Sequence, residues 1–589
     1  MRCFLLISLT VVGVALCAPH PVPPRGFNPC NNLNCVMSSL GEEELKSIAL
    51  AIADNGMLAA GYNFFNLDDG WASHRAPNGT IVAQQPAFPS GSLQPLASFL
   101  NALGLKLGVY TDRGVSTCEG RPGSKGFEAL DASTYVQWGI RYVKSDSCSS
   151  AQDFPTVAAE YELMAEALAA TGEDVFFSLC GWSDWFAAYE PSLGDSWRIG
   201  TDVPTWERFM QNLGAAAAVA PFAGPSPTGP RRGWPDVDMI GGRWPAQQEQ
   251  FHLCLIAVIG SPLLLSFDPR DPSATSTLGL PPYLNAELLS IHQDDARGSV
   301  AARGQYYARI AGGETTGPTA LRVVPSPCNA SASLWTFVPA AAPAGFGQLR
   351  SVGLEGYCLA LWDTWTGACI DAIYAQALPC GGGGGGGSGG CPLAAQLWAP
   401  GGEAEGWPLR SALNYSGQTP FPGPYLTASG VPGGLYAQPR FPGTSGGGAG
   451  GAASSAAAAG QAWVTTLPPG ASAPVNTTVM LQGGGQGACL APAPQASFNV
   501  WARWLANGDV ALLLVNFAPQ PASVVCDAAC MGAVGGGGST PQPPPGSTWK
   551  ARDVWARAPA PDVPVAGFTT PLLPANGGSL LLRLSASAV

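Results

Sequence analysis

The first half of the 589-residue chain predicts an α/β fold, a (β/α)8 barrel, on three observations. Short apolar runs alternate with helix-like stretches from Arg25 to Arg303, the pattern of βαβ units around a parallel sheet. The stretch of about 280 residues and its eight candidate strands suit a TIM barrel. Acidic residues recur where those strands end, and in a barrel all such ends meet on one face, where active sites lie. A doubly wound open sheet is the structural alternative.

The strands are expected near Arg25–Pro29 and at Tyr62–Leu67, Leu105–Thr111, Tyr142–Ser145, Val175–Leu179, Trp197–Gly200, Ala217–Phe222 and Leu263–Phe267. Between several of them, Glu42–Asn55, Ala158–Ala169 and Gln247–Ile259 read as helices. The barrel is assigned to residues 22–303. Residues 1–18 precede it as a signal peptide, with Arg2, an apolar core from Phe4 to Leu16, and small residues at Ala15, Cys17 and Ala18. That core is too short for a good membrane span, and no other candidate span occurs.

Beyond the barrel the composition shifts to Gly, Ala and Pro, with low-complexity runs at Gly381–Gly387 and Gly446–Gly460. Beneath them lies a repeat with a period of about sixty residues. IYAQ at Ile373 recurs as LYAQ at Leu435, QLW ending at Trp398 as QAW ending at Trp463, and QLRS at Gln348 as PLRS at Pro408. These short Gln-x-Trp units look like a ricin-type β-trefoil, a lectin-like module assigned to residues 319–493. From Phe498 the pattern becomes alternating strands ending in LLLRLSASAV. Residues 304–318 plus 498–589 are therefore read as a C-terminal antiparallel β-sandwich that the β-trefoil-like insertion interrupts.

Charge excludes one class of partner. Only 12% of residues are charged and the net charge is −12, without the basic stripe that nucleic acid demands. A low-charge acidic surface suits a neutral substrate such as a sugar. The signal peptide, sixteen cysteines and sequons at Asn78, Asn329, Asn414 and Asn476 point to an oxidising compartment. The expected location is secreted, extracellular or vacuolar-lysosomal.

The stretch IRYVKSDSCSS at 140–150 carries the chemistry. Side chains alternate along a strand, so Lys144 and Asp146 emerge on the same side at its end. A lysine beside a carboxylate favours the ionised form, and an ionised aspartate facing a cleft can be a nucleophile. Cys148 can anchor the next loop through a disulfide, with Cys118 of RGVSTCEG as the natural partner. Glycoside hydrolysis needs a second carboxylate, and Asp202 of SWRIGTDV, with Arg198 four residues before it, is the best candidate. The adjacent Asp68 and Asp69 can fork neighbouring sugar hydroxyls with charge-assisted hydrogen bonds. Trp71 and Trp234 are candidate aromatic walls. The four histidines form no ligand spacing, and neither a metal nor a cofactor is expected.

NLDDGWA, AFPSG, GLKLGVYTD, YVKSDSC, SWRIGTD and GWPDVDM occur in that order. Together they resemble glycoside hydrolase family 27, the α-galactosidases (melibiases) and α-N-acetylgalactosaminidases; FNVWARWL and ARDVWA extend the resemblance into the sandwich. The resemblance implies a retaining double displacement, with Asp146 as nucleophile and Asp202 as general acid and base. It implies that Asp68, Asp69, Tyr110, Lys144, Arg198 and Asp238 bind the terminal sugar of an α-galactoside oligosaccharide or glycoconjugate.

Three departures bear on specificity. RGFNPCN places Phe27 and Cys30 where the family carries tryptophans, and Cys30 takes the position of an aromatic that packs on the sugar. Gly70 stands where the family has a cysteine, which leaves Cys35 without its usual partner and makes a Cys30–Cys35 disulfide the local substitute. Cys180-Gly181-Trp182 replaces Cys-Glu-Trp, and Gly181 removes a carboxylate at the sugar 2-position, a gap that Asp184 could fill. The first expectation is an α-galactosidase. The alternatives are an α-N-acetylgalactosaminidase or β-L-arabinopyranosidase, or a carbohydrate-binding protein with an inactive barrel.

Overall fold

The computed structural model describes residues 20–30, 40–150, 154–182, 193–200, 202–219, 233–241, 244–294, 498–535, 543–544 and 546–586, and twelve strands between Leu321 and Pro492. The signal peptide, Cys35, Asp184, the segment 304–318, and Asn329, Asn414 and Asn476 lie outside the described residues.

Eight parallel strands form the barrel: β1 (Arg25–Phe27), β2 (Phe64–Asn66), β5 (Lys106–Asp112), β6 (Tyr142–Asp146), β7 (Phe176–Leu179), β8 (Ser196–Arg198), β9 (Trp234–Asp236) and β10 (Leu263–Leu265). A hairpin of β3 (Ala72–Arg75) and β4 (Ile81–Ala83) interrupts the series, with Asn78 exposed at its turn. The strands pair in sequence order, and β10 returns to β1 with Leu263 opposite Arg25. A parallel bridge from Ile240 to Leu265 closes the ring. The strands are short and buried on both faces, so they read as apolar runs rather than alternating ones. Glycine is required at position 108, where an added Cβ would lie 2.0 Å from the Asn66 Oδ1 of the neighbouring strand.

One strand departs from expectation. Ala217–Val219 end a helix, Trp206–Val219, and the seventh barrel strand is Trp234–Asp236. The alanine-rich run is a good helix former, whereas a three-residue strand with Pro235 at its centre carries little strand signal.

The C-terminal sandwich pairs β23 (Phe498–Trp504), β24 (Val510–Asn516), β29 (Gly578–Ala586), β26 (Thr548–Asp553) and β27 (Ala558–Pro564) in the order 23-24-29-26-27, all antiparallel. Its two-stranded companion joins β25 (Val525–Asp527) to β28 (Gly567–Thr569). Arg503 of β23 is fully buried against the barrel. Its guanidinium donates to the Ala257 and Asp294 carbonyls at 2.9 and 2.8 Å and lies over the Trp234 ring of β9. Arg552 reaches Glu287 with two hydrogen bonds of 2.6 Å.

The twelve strands between Leu321 and Pro492, β11 to β22 in chain order, form a separate antiparallel network. The first, Leu321–Pro327, pairs with the last, Ala488–Pro492, so the segment's two ends meet.

His20 closes the other end of the barrel. Its ring lies 3.2 Å from Asp174 and 3.3 Å from Asp195, and against Phe176. Burial alone would lower its pKa, but hydrogen bonds and charge from the two aspartates outweigh that and raise it to about 9. A raised folded-state pKa stabilises fully below the unfolded value of about 6.5 and loses that effect as pH rises through 9. His20→Ala is expected to lower Tm at pH 6, with the gap to wild type shrinking above pH 9 in thermal scans.

Candidate active site

The carboxyl ends of the barrel strands surround a small pocket lined by Asn28, Tyr142, Lys144, Arg198, Asp236, Asp238 and Met239 among others. The side chains it collects come from loops far apart in sequence.

Asp146 ends β6 and is buried. It accepts hydrogen bonds from the Tyr110 hydroxyl at 2.8 Å and from the Ser147 N–H at 2.9 Å. Burial raises its pKa to about 6, resisted by the charge of Lys144 and the Tyr110 bond. Lys144 shares the interior face with Asp146, yet its ammonium pairs with Asp68 at 3.2 Å and lies over the Tyr110 ring at 5.0 Å. The lysine therefore acts on Asp146 through space rather than by direct contact.

Asp68 and Asp69 follow β2 and are aimed apart by local turns. Asp68 accepts from Asn28 Nδ2 at 2.7 Å as well as from Lys144, while Asp69 accepts from the Gly70 and Glu119 N–H groups at 2.7 and 2.9 Å. Burial raises the Asp69 pKa against those bonds. Asn28 was not singled out in the sequence. Its signal was its place just past a strand end, in a short motif dominated by Phe27 and Cys30.

Asp202 follows β8 and its side chain is 80% exposed, the only open carboxylate in this group. Arg198 Nη2 donates to it at 3.0 Å, and that charge holds its pKa below the usual carboxylate range. The same guanidinium lies 3.4 Å from Asp238, which accepts from the Val203 N–H at 2.7 Å. Gly181 and Cys180 are buried beyond the end of β7, and Trp182 follows at φ 58. Trp71 and Trp234 are not walls. Both are buried in the core, with the Trp71 indole N–H given to the Tyr110 carbonyl at 2.8 Å.

Cys118 and Cys148 form a disulfide across the loops after β5 and β6. Asp112 fastens the same loops by accepting from the Gly114 and Cys148 N–H groups at 2.6 and 2.7 Å. Asp112, Asp146 and these two sulfurs lie close enough to surround an ion, but sulfurs bonded to each other offer no thiolate. The donor set does not suit a metal. Cys30 is disulfide-bonded to a cysteine outside the described residues.

Comparison with known proteins agrees with this arrangement. Residues 29–294 match the family model described as alpha galactosidase A, and residues 495–582 match the alpha galactosidase C-terminal beta sandwich domain. A probable alpha-galactosidase of Dictyostelium discoideum is 37% identical over 277 residues, which is 46% of this chain and 68% of that protein. The alpha-galactosidase A of Cellvibrio japonicus is 36% identical over 311 residues, 49% of this chain and 73% of that protein.

The chain belongs to glycoside hydrolase family 27, the α-galactosidases.

The crystal structure of alpha-galactosidase I from Mortierella vinacea shares the fold, with a TM-score of 0.54 at 18% identity, covering 97% of this chain and 98% of that one. The two family models cover the barrel and most of the sandwich; the twelve-stranded segment between them lies outside the matched ranges.

The disulfide closes a loop with a sequence separation of 30, for which chain entropy predicts about 3–4 kcal/mol of stabilisation. Replacing both cysteines by alanine is expected to lower stability by that order in denaturant titrations. It should also reduce kcat/KM, since the Tyr110–Asp146 pair sits beneath the bridge.

Proposed function

We propose that this family 27 member is a retaining exo-glycosidase that hydrolyses terminal non-reducing α-D-galactosyl residues of oligosaccharides or glycoconjugates. The observation that carries the mechanism is the contrast between two carboxylates at strand ends. Asp146 is buried and oriented by Tyr110, whereas Asp202 is open and held by Arg198. A buried, oriented carboxylate suits a nucleophile. An open carboxylate suits a group that must meet the departing aglycone and then water.

In this reading Asp146 attacks the anomeric carbon while Asp202 protonates the leaving oxygen. Asp202 then activates water to release the sugar, and net retention follows from two inversions. Retaining chemistry requires the carboxyl groups about 5–5.5 Å apart. Asp68, Asp69, Lys144, Arg198 and Asp238 would hold the sugar hydroxyls through charge-assisted bonds. The glycine at position 181 favours a second substrate class, sugars bearing a larger 2-substituent such as α-N-acetylgalactosaminides; β-L-arabinopyranosides are the further alternative. A panel of aryl glycosides ranks these. Secretion, and glycan binding by the trefoil-like segment, belong to the same proposal; the signal peptide and the Gln-x-Trp repeat support them.

Asp146→Asn is expected to reduce hydrolysis of an aryl α-galactoside by more than about 10³-fold while the fold survives. Undiminished turnover in that variant would remove Asp146 from the mechanism. The pH profile should be acidic. The productive form needs one proton shared by the Asp146–Asp202 pair, so kcat/KM should fall above about pH 6 as the pair loses it, with apparent values that belong to both groups. A profile flat to pH 8 would contradict this.

A further inference from the structure

Asp236 is a buried carboxylate at the last position of β9 that the double displacement leaves without a role. We propose that it is a positioning residue for the acid/base Asp202, acting through Asp238. The inference rests on Asp202 being that group.

Four contacts connect them. Asp236 Oδ1 accepts the Asp238 N–H at 2.8 Å, closing an Asx turn two residues on. That turn holds Asp238 at φ 80, a conformation that side-chain-bearing residues rarely adopt and that persists only where the surroundings fix it. Held there, Asp238 turns its carboxylate back toward β8. One oxygen accepts the Val203 N–H at 2.7 Å, and the other lies 3.4 Å from Arg198 Nη1. Val203 is the residue after Asp202, and Arg198 grips the Asp202 carboxylate itself at 3.0 Å. Asp202 is otherwise open to solvent, so among its described contacts these two restraints define where its carboxyl group points. The first passes through Asp238, and Asp238 shares the hold on Arg198 with the Gly200 carbonyl, which accepts from the same guanidinium at 3.2 Å; the backbone of Asp238 depends in turn on Asp236.

A carbonyl-type oxygen is sufficient for this role. Burial raises the Asp236 pKa to about 6, so the group is partly neutral in mildly acidic solution while still accepting the bond. Asparagine keeps that acceptor, whereas alanine removes it.

A test must separate misplacement of the acid from general damage, and leaving-group dependence does so. An alkyl α-galactoside needs its leaving oxygen protonated; a 2,4-dinitrophenyl α-galactoside departs without help. Asp236→Ala is expected to lose about 10²-fold in kcat/KM on the alkyl substrate but only about tenfold on the dinitrophenyl one, the shared loss being the sugar contact of Asp238 and the excess the misplaced acid. Asp236→Asn is expected to stay within a few-fold of wild type on both. Asp236→Leu, similar in shape and without an acceptor, replaces the alanine variant if that fails to fold. Equal losses on the two substrates would show a structural role and overturn the proposal, as would an asparagine variant as impaired as alanine. Asp202→Ala is run alongside. If it too lacks leaving-group dependence, the acid/base assignment itself falls, and the two failures are told apart.

Discussion

The mouth of this barrel depends on two cations, the buried Arg198 and the half-buried Lys144. Asp68, Asp69, Asp146, Asp236 and Asp238 are all buried at or just beyond the carboxyl ends of the barrel strands. Withdrawing so many carboxylates from water is costly unless each meets a donor or a positive charge. Lys144 supplies that charge on one side of the cleft and Arg198 on the other. Remaining oxygens are met by backbone N–H groups of Asp69, Gly70, Glu119, Ser147, Val203, Asp238 and Met239. A pocket so filled with fixed donors and acceptors suits recognition of hydroxyls by direction, as the proposed sugar contacts require.

The same balance sets up unequal carboxylates. Arg198 contacts Asp202 directly and depresses its pKa, while Lys144 is drawn toward Asp68 and leaves Asp146 dominated by burial. A proton therefore favours Asp146 over Asp202, the reverse of what the first step of the proposed double displacement requires. A bound sugar would take up the hydrogen bonds of Arg198 and shield Asp202 from water, and both changes raise the Asp202 pKa.

The support behind the cleft is as specific as its lining. Arg503 carries a charge from the sandwich into the core and lies over Trp234, the residue that starts the strand ending at Asp236. Burial depresses its pKa to about 10, and the carbonyls of Ala257 and Asp294 hold its guanidinium. A barrel whose seventh strand is three residues long gains a fixed backing from this contact. The matched family pairs the same two domains.

Sequence alone determined the barrel, the strand ends that bear carboxylates, and the Cys118–Cys148 bridge, because strand alternation, turn residues and cysteine spacing are local patterns. Ordered motifs also determined the family. It misplaced the seventh strand, because Trp-Pro-Asp carries almost no strand propensity while the alanine run before it resembles any apolar segment. It assigned Lys144 to Asp146 by their shared face, but a long flexible side chain takes whichever acid the fold brings nearest, and only the closed barrel brings Asp68 there. Trp71 and Trp234 were ambiguous between wall and core, since an indole looks the same in either place until its neighbours are known. Only the tertiary structure decided that Asp146 is buried and Asp202 open, and that Asp238 is turned toward Arg198 and Val203. Those distinctions depend on which loops meet at the mouth, a long-range property that no local pattern encodes.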